Sequence, residues 1–251
     1  MTQQWKIGAI ILIVIVVAGL GVAAQRMHLL PLAVGTASNA TTTSSEGNAA
    51  SSTAPSLTGN VQMSADLSPE VQSILTADIT RLRATLSKNY EDYSSWLNLA
   101  IKYKMAGDYK GAEAIWKYLA FLHPDDATSR HNLGDLYQSV YKNYPTAEQY
   151  FKQAVDVAPT LAINYLSLFD LYRYNFKQQT TAAVDILKLG ISRVSGSSLI
   201  NMYAALASYY EGKGDAADAI TYYAKARDAA KAAGNTQLAA QYEAAIASLN
   251  K

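Results

Sequence analysis

The chain contains no cysteine among its 251 residues, which excludes disulfides, thiolate metal sites and a cysteine nucleophile. This leaves the compartment open, since cysteine-free proteins occur on both sides of membranes. Charge is also sparse: 16% of residues are charged and the net charge is +1. Lys6, Arg26 and Glu46 are the only charged residues before Asp66, so acids and bases balance in the remainder. A neutral body has no long-range field with which to gather nucleic acid. There is no glycine-rich phosphate loop, no GxSxG, no HExxH and no paired-carboxylate motif. Neither catalysis nor a cofactor nor a metal is expected.

Apolar residues are plentiful, at 50%, and their first concentration is N-terminal. After a short tail (1–6), the run IGAIILIVIVVAGLGVAA (7–24) carries no charge. At 1.5 Å per residue it reaches about 27 Å, close to the hydrocarbon thickness of a bilayer. Trp5 precedes it, and Lys6 and Arg26 close its ends, as interfacial residues do. The run reads as a transmembrane signal-anchor helix of a cytoplasmic (inner) membrane. A cleaved signal peptide competes, because Val22-Ala23-Ala24 suits a small-residue cleavage site. The layout, a short N-terminus before a large domain, places that domain on the extracytoplasmic side.

Residues 25–65 change character: ATTTSSEGNAASSTAPSLTGN is Ser, Thr, Ala, Gly and Asn with one charge. Too little apolar surface is available there to offset ordering entropy. A flexible tether is expected, spanning roughly 30 Å root-mean-square.

From Asp66 to Lys251, period-two alternation is missing, and apolar residues recur at three and four. Ser68-Pro69-Glu70 is a helix start. Gly107-Asp108 and Gly214-Asp215 each end one helix and cap the next. The resulting helix–turn–helix unit recurs. Trp96, Leu99, Ala100, Tyr103, Ala112, Trp116, Leu119 and Pro124 resemble, in order and spacing, the tetratricopeptide pattern W-x₂-L-G-x₂-Y, A-x₃-F, P. A second copy has Leu133, Gly134, Tyr137, Ala147, Phe151, Ala154 and Pro159, with one extra turn residue and Arg130 in place of Trp. A third keeps Tyr165, Leu168, Phe169, Tyr172, Ala183, Leu187 and Gly190; a fourth keeps Tyr203, Leu206, Ala207, Tyr210, Ala219, Tyr223 and Ala226. The repeats run over about 93–126, 127–161, 162–198 and 200–233, with a capping helix at 236–250.

The resemblance implies an all-α, right-handed superhelix whose first helices line a concave groove. Projected onto this chain, that face comprises Leu97, Asn98, Ile101 and Lys104; His131, Asn132, Asp135 and Gln138; Leu166, Asp170 and Arg173; and Asn201 and Ser208. His131 and Asp135 stand one turn apart, at hydrogen-bonding spacing. Amides, both charges and a few apolar anchors would suit a protein or peptide client. Polar residues on an exposed face are expected to be replaceable at a cost within about 0.5 kcal/mol. The clamp with which the family's chaperone-tail binders hold a terminal carboxylate is missing: Asn132 fits, but Leu97, Ile101, Ile163 and Leu166 replace its other residues. Tyr103, Tyr137, Tyr172 and Tyr210 fall at an interhelical packing position. The expected function is that of a membrane-tethered adaptor; the alternative is a self-associating structural protein of the envelope, a homo-oligomer.

Overall fold

A computed structural model describes residues 52–251. The tail (1–6), the apolar run (7–24) and residues 25–51 lie outside the described residues. Among the described residues no helix is long and apolar enough to cross a membrane.

Among the described residues ten α-helices follow one another: α1 (Pro69–Lys88), α2 (Tyr93–Ala106), α3 (Tyr109–Leu122), α4 (Ala127–Ser139), α5 (Tyr144–Val157), α6 (Ala162–Asp170), α7 (Ala182–Arg193), α8 (Ser198–Gly212), α9 (Ala216–Ala232) and α10 (Thr236–Leu249). There is no strand among the described residues. Local chemistry sets most boundaries. The side chains of Ser68, Asp92, Asp108, Asp126, Asn143, Asp215 and Asn235 each accept a hydrogen bond from a first-turn amide, satisfying donors that a helix start otherwise leaves unpaired. Gly107 ends α2 with φ 90°, a left-handed conformation that costs glycine little.

The helices without a side-chain cap are consecutive: α6, α7 and α8. The same stretch holds a π-helical turn, Leu171–Asn175, which continues α6. Lys142 and Lys177 adopt positive φ. They sit in the turns of the second and third units, the two that exceed the repeat length.

Successive helices pack in antiparallel pairs: α2 with α3, α4 with α5, α6 with α7, α8 with α9, and each pair on the next. One continuous core runs from Ile79 to Leu206, through Trp96, Trp116, Phe151, Tyr165 and Phe169, all about 1% exposed or less. A smaller cluster of Ile200, Ala230 and Ala239 seats α10 through Leu238 and Tyr242. Close approach depends on small residues. A Cβ on Gly134 would sit 2.5 Å from the Phe151 ring, so only glycine lets α4 and α5 meet there.

The packing tyrosines share a further device. The hydroxyls of Tyr137 and Tyr172 donate to Glu113 and Glu148, each at 2.6 Å, and the Tyr103 hydroxyl accepts from Arg83 Nε at 3.0 Å. Glu113 and Glu148 stand on the preceding unit's second helix, and Arg83 on α1, which precedes the first unit. Each hydroxyl therefore ties its repeat to the element before it, at positions where an unpaired buried group would be costly.

The end of the Ser/Thr-rich stretch differs from the flexible coil expected of it. Leu57, Val61 and Met63 pack against the core. Arg83 donates to the Gly59 carbonyl at 2.8 Å, Tyr90 to the Pro55 carbonyl at 3.2 Å, and the Ser64 amide to the Ala106 carbonyl at 2.6 Å. Residues 55–64 thus lie as an extended strap, antiparallel to α1 and parallel to α2, where the first helix of a further repeat would stand. Three apolar side chains suffice because α1 and α2 would otherwise leave one flank uncovered.

Candidate functional site

The residues projected onto the groove come from α2, α4, α6 with its π-turn, and α8, the first helices of the four units. The structure links many of them to one another. Lys104 of α2 forms an ion pair with Asp135 of α4. His131 Nδ1 lies 3.2 Å from the Asn164 Oδ1 on α6. Gln138 donates to Asn175 in the π-turn at 2.9 Å. Arg173 reaches the Ser208 carbonyl of α8 at 3.5 Å, and its guanidinium lies over the rings of Phe169, Tyr174 and Tyr209. These contacts form a polar seam joining each first helix to the next.

His131 and Asp135 do not pair: Asp135 turns to Lys104, and His131 to Asn164. Asn164 is buried, and its Nδ2 donates to the Ala154 carbonyl at 3.0 Å. Its Oδ1 must therefore accept, which puts the imidazole proton on Nδ1. Burial pushes the His131 pKa down, against the opposing pull of Asn164 and Asp135, so the ring is neutral at pH 7. Asn164 is a residue that sequence reasoning missed. Nothing in its neighbourhood announces a polar side chain deep between units.

The small stability cost expected for these positions does not fit His131. Without its donor, Asn164 Oδ1 would be left buried and unpaired, a loss of about 1–3 kcal/mol. His131→Ala should therefore lower the urea midpoint, whereas Asn98→Ala, on an exposed site, should leave it in place. Urea unfolding of the two variants makes the comparison.

What remains open is narrower than the full projection. Asn98, Asp170, Asn201 and Ser208 are exposed, and Ile101 is 38% exposed. Asn132 is half-buried; Leu97 and Leu166 pack against the core. Asp135, Gln138 and Asp170 share a pocket of about 360 Å³ with Ser167 and Asn175. Asp170 touches water, yet the crowding walls desolvate its carboxylate and push its pKa up, with Arg173 opposing. Such an acid favours a partner that supplies a donor.

Helix–turn–helix units, small residues at the crossings and tyrosines at one interhelical register decide the architecture. It is the tetratricopeptide-repeat fold. The structure titled "Crystal structure of MamA" is similar at 20% identity, with a TM-score of 0.51, over 64% of this chain and 92% of that one. A thermophilic tetratricopeptide-repeat protein from Thermus thermophilus, TTC0263, is 21% identical over 70% of this chain and 90% of that one, with a TM-score of 0.48. No family model matches the sequence, and no curated protein matches it.

Proposed function

We propose that the chain is a non-enzymatic scaffold that holds a protein or peptide client against its first helices, tethered by residues 7–24 to a cytoplasmic membrane with the repeats on the outer side. The fold supports protein–protein interaction in general. The observation that carries the groove reading is the set of open polar groups beside the seam, above all Asp170 in its pocket. The seam's own contacts keep the first helices in register, so these groups form a preorganised row, which lowers the ordering cost of binding. The tether reading rests on the length and flanks of the apolar run.

The test compares variants of the full chain with a client captured from the native membrane. Asn98→Ala with Asp170→Ala should weaken that client about tenfold, as lost desolvated hydrogen bonds do, at an unchanged melting temperature. Unchanged affinity would move binding to another face.

One observation favours the second reading, self-association. α10 buries only Ala239 fully, and Leu238, Tyr242, Ile246 and Leu249 remain half-exposed along it. Light scattering on the purified chain, which is monomeric under the adaptor reading, separates the two.

A further inference from the structure

The junction between the first and second repeats differs from the junction between α1 and the first repeat in three side chains that meet at one place. Where α1 meets the first repeat, Leu86, Trp96 and Tyr118 are all buried, and Trp96 and Tyr118 meet edge to face at 5.7 Å. One repeat later, the same register positions hold Ala120, Arg130 and Gln153. All three line a cavity of about 390 Å³, together with Lys117, Leu133 and Tyr150. The substitutions have left a space where the first repeat is filled by an indole.

The walls of this slot are organised. Arg130 donates to the carbonyls of Ala120, His123 and Asp126 at 3.2, 3.4 and 2.5 Å, so the last turn of α3 holds its flat guanidinium in place. A fixed guanidinium offers a cationic face to the electron-rich face of an aromatic ring. Leu133 and Ala120 supply apolar contact. Tyr150, 2% exposed, also lines the slot. The flat face of an aromatic ring would complement this lining.

We propose that this slot between α3, α4 and α5 is a binding site for an aromatic side chain of a protein partner, best an indole, stacked on Arg130. The occupant is inferred from the first repeat, where the chain's own Trp96 fills the equivalent volume, and from charge complementarity with Arg130. Large aromatic anchors in such pockets commonly dominate a protein interface. The proposal shares with the groove reading only the premise of a protein client; its residues are different.

The probe is N-acetyl-tryptophanamide, with N-acetyl-leucinamide as control, titrated into the full chain and followed by amide and arginine side-chain NMR shifts. The expected result is saturable shifts at Arg130, Leu133 and Tyr150 for the tryptophan probe alone. Arg130→Trp should refill the slot from within, abolishing these shifts and raising the melting temperature. Gln153→Tyr, at an exposed position, narrows the slot if the first variant does not fold, and should weaken the probe about tenfold. Shifts that are absent, equal for the leucine control, or unchanged in Gln153→Tyr overturn the proposal. The groove variants Asn98→Ala and Asp170→Ala should leave the probe's binding as it was, so the slot and the groove stand or fall separately.

Discussion

Trp96→Ala should be among the most damaging single substitutions in the chain, costing about 3–5 kcal/mol. Trp96 is 1% exposed, and its Nε1 donates to the Tyr90 carbonyl at 2.8 Å. Its ring meets Tyr90 at 5.0 Å and Tyr118 at 5.7 Å, both edge to face. Alanine would leave a cavity whose walls are helices held by other contacts, so little of it can collapse. For a domain of this size each kcal/mol lowers the melting temperature by about 2–4 °C. Because each repeat touches only its neighbours, the loss should be local at first. Hydrogen exchange should show α2 and α3 opening while α8 and α9 keep their protection. Uniform loss of protection would mean the stack unfolds as a single unit.

Glu148→Ala should cost about 2–3 kcal/mol, although it removes a surface-type residue. Glu148 is 8% exposed and accepts from Tyr172 at 2.6 Å, Lys177 at 2.6 Å and Lys152 at 2.8 Å. Burial by itself would raise its pKa; the two lysines and the tyrosine outweigh it and hold the carboxyl at about 2 against an ordinary 4.5. A depressed carboxylate pKa means that the folded state binds fewer protons than the unfolded one. The stabilisation is therefore fully present above pH 4.5 and drains away as the pH falls towards 2. Urea midpoints measured between neutral pH and pH 3 should fall steeply for the parent chain and less steeply for Glu148→Ala. Parallel curves would show that this carboxylate contributes nothing to the acid sensitivity.

The parts of the fold that were legible in the sequence are those set by neighbours a few residues apart. Ser68, Asp108 and Asp215 cap helices because a cap needs only an amide three residues on. Gly107 and Gly214 turn because their own φ requires it. The repeat register could be read from Trp96, Leu99 and Tyr103 because one helix face carries all three. Contacts between units are different. Whether Asp135 pairs with His131 on its own helix or with Lys104 on the neighbouring one depends on the angle between helices, which no single repeat encodes. The π-turn after α6 arises where caps are missing, and an absent signal is hard to read. The tyrosine partners did leave a trace: Ala112-Glu113 and Ala147-Glu148 stand at the same register. The strap was hidden by composition, for Leu57, Val61 and Met63 are diluted among Ser, Thr and Gly and gain meaning only beside α1.

That strap also sets the route by which a mechanical load enters the domain. Any pull on the chain before Pro55 reaches the Tyr90 hydroxyl first, then the Arg83–Gly59 hydrogen bond, and last the Ser64–Ala106 bond. These attachments are in series and each is weak, so they yield one at a time while α1 stays folded. About ten residues of slack, roughly 30 Å at full extension, would be released before force falls on the first helix.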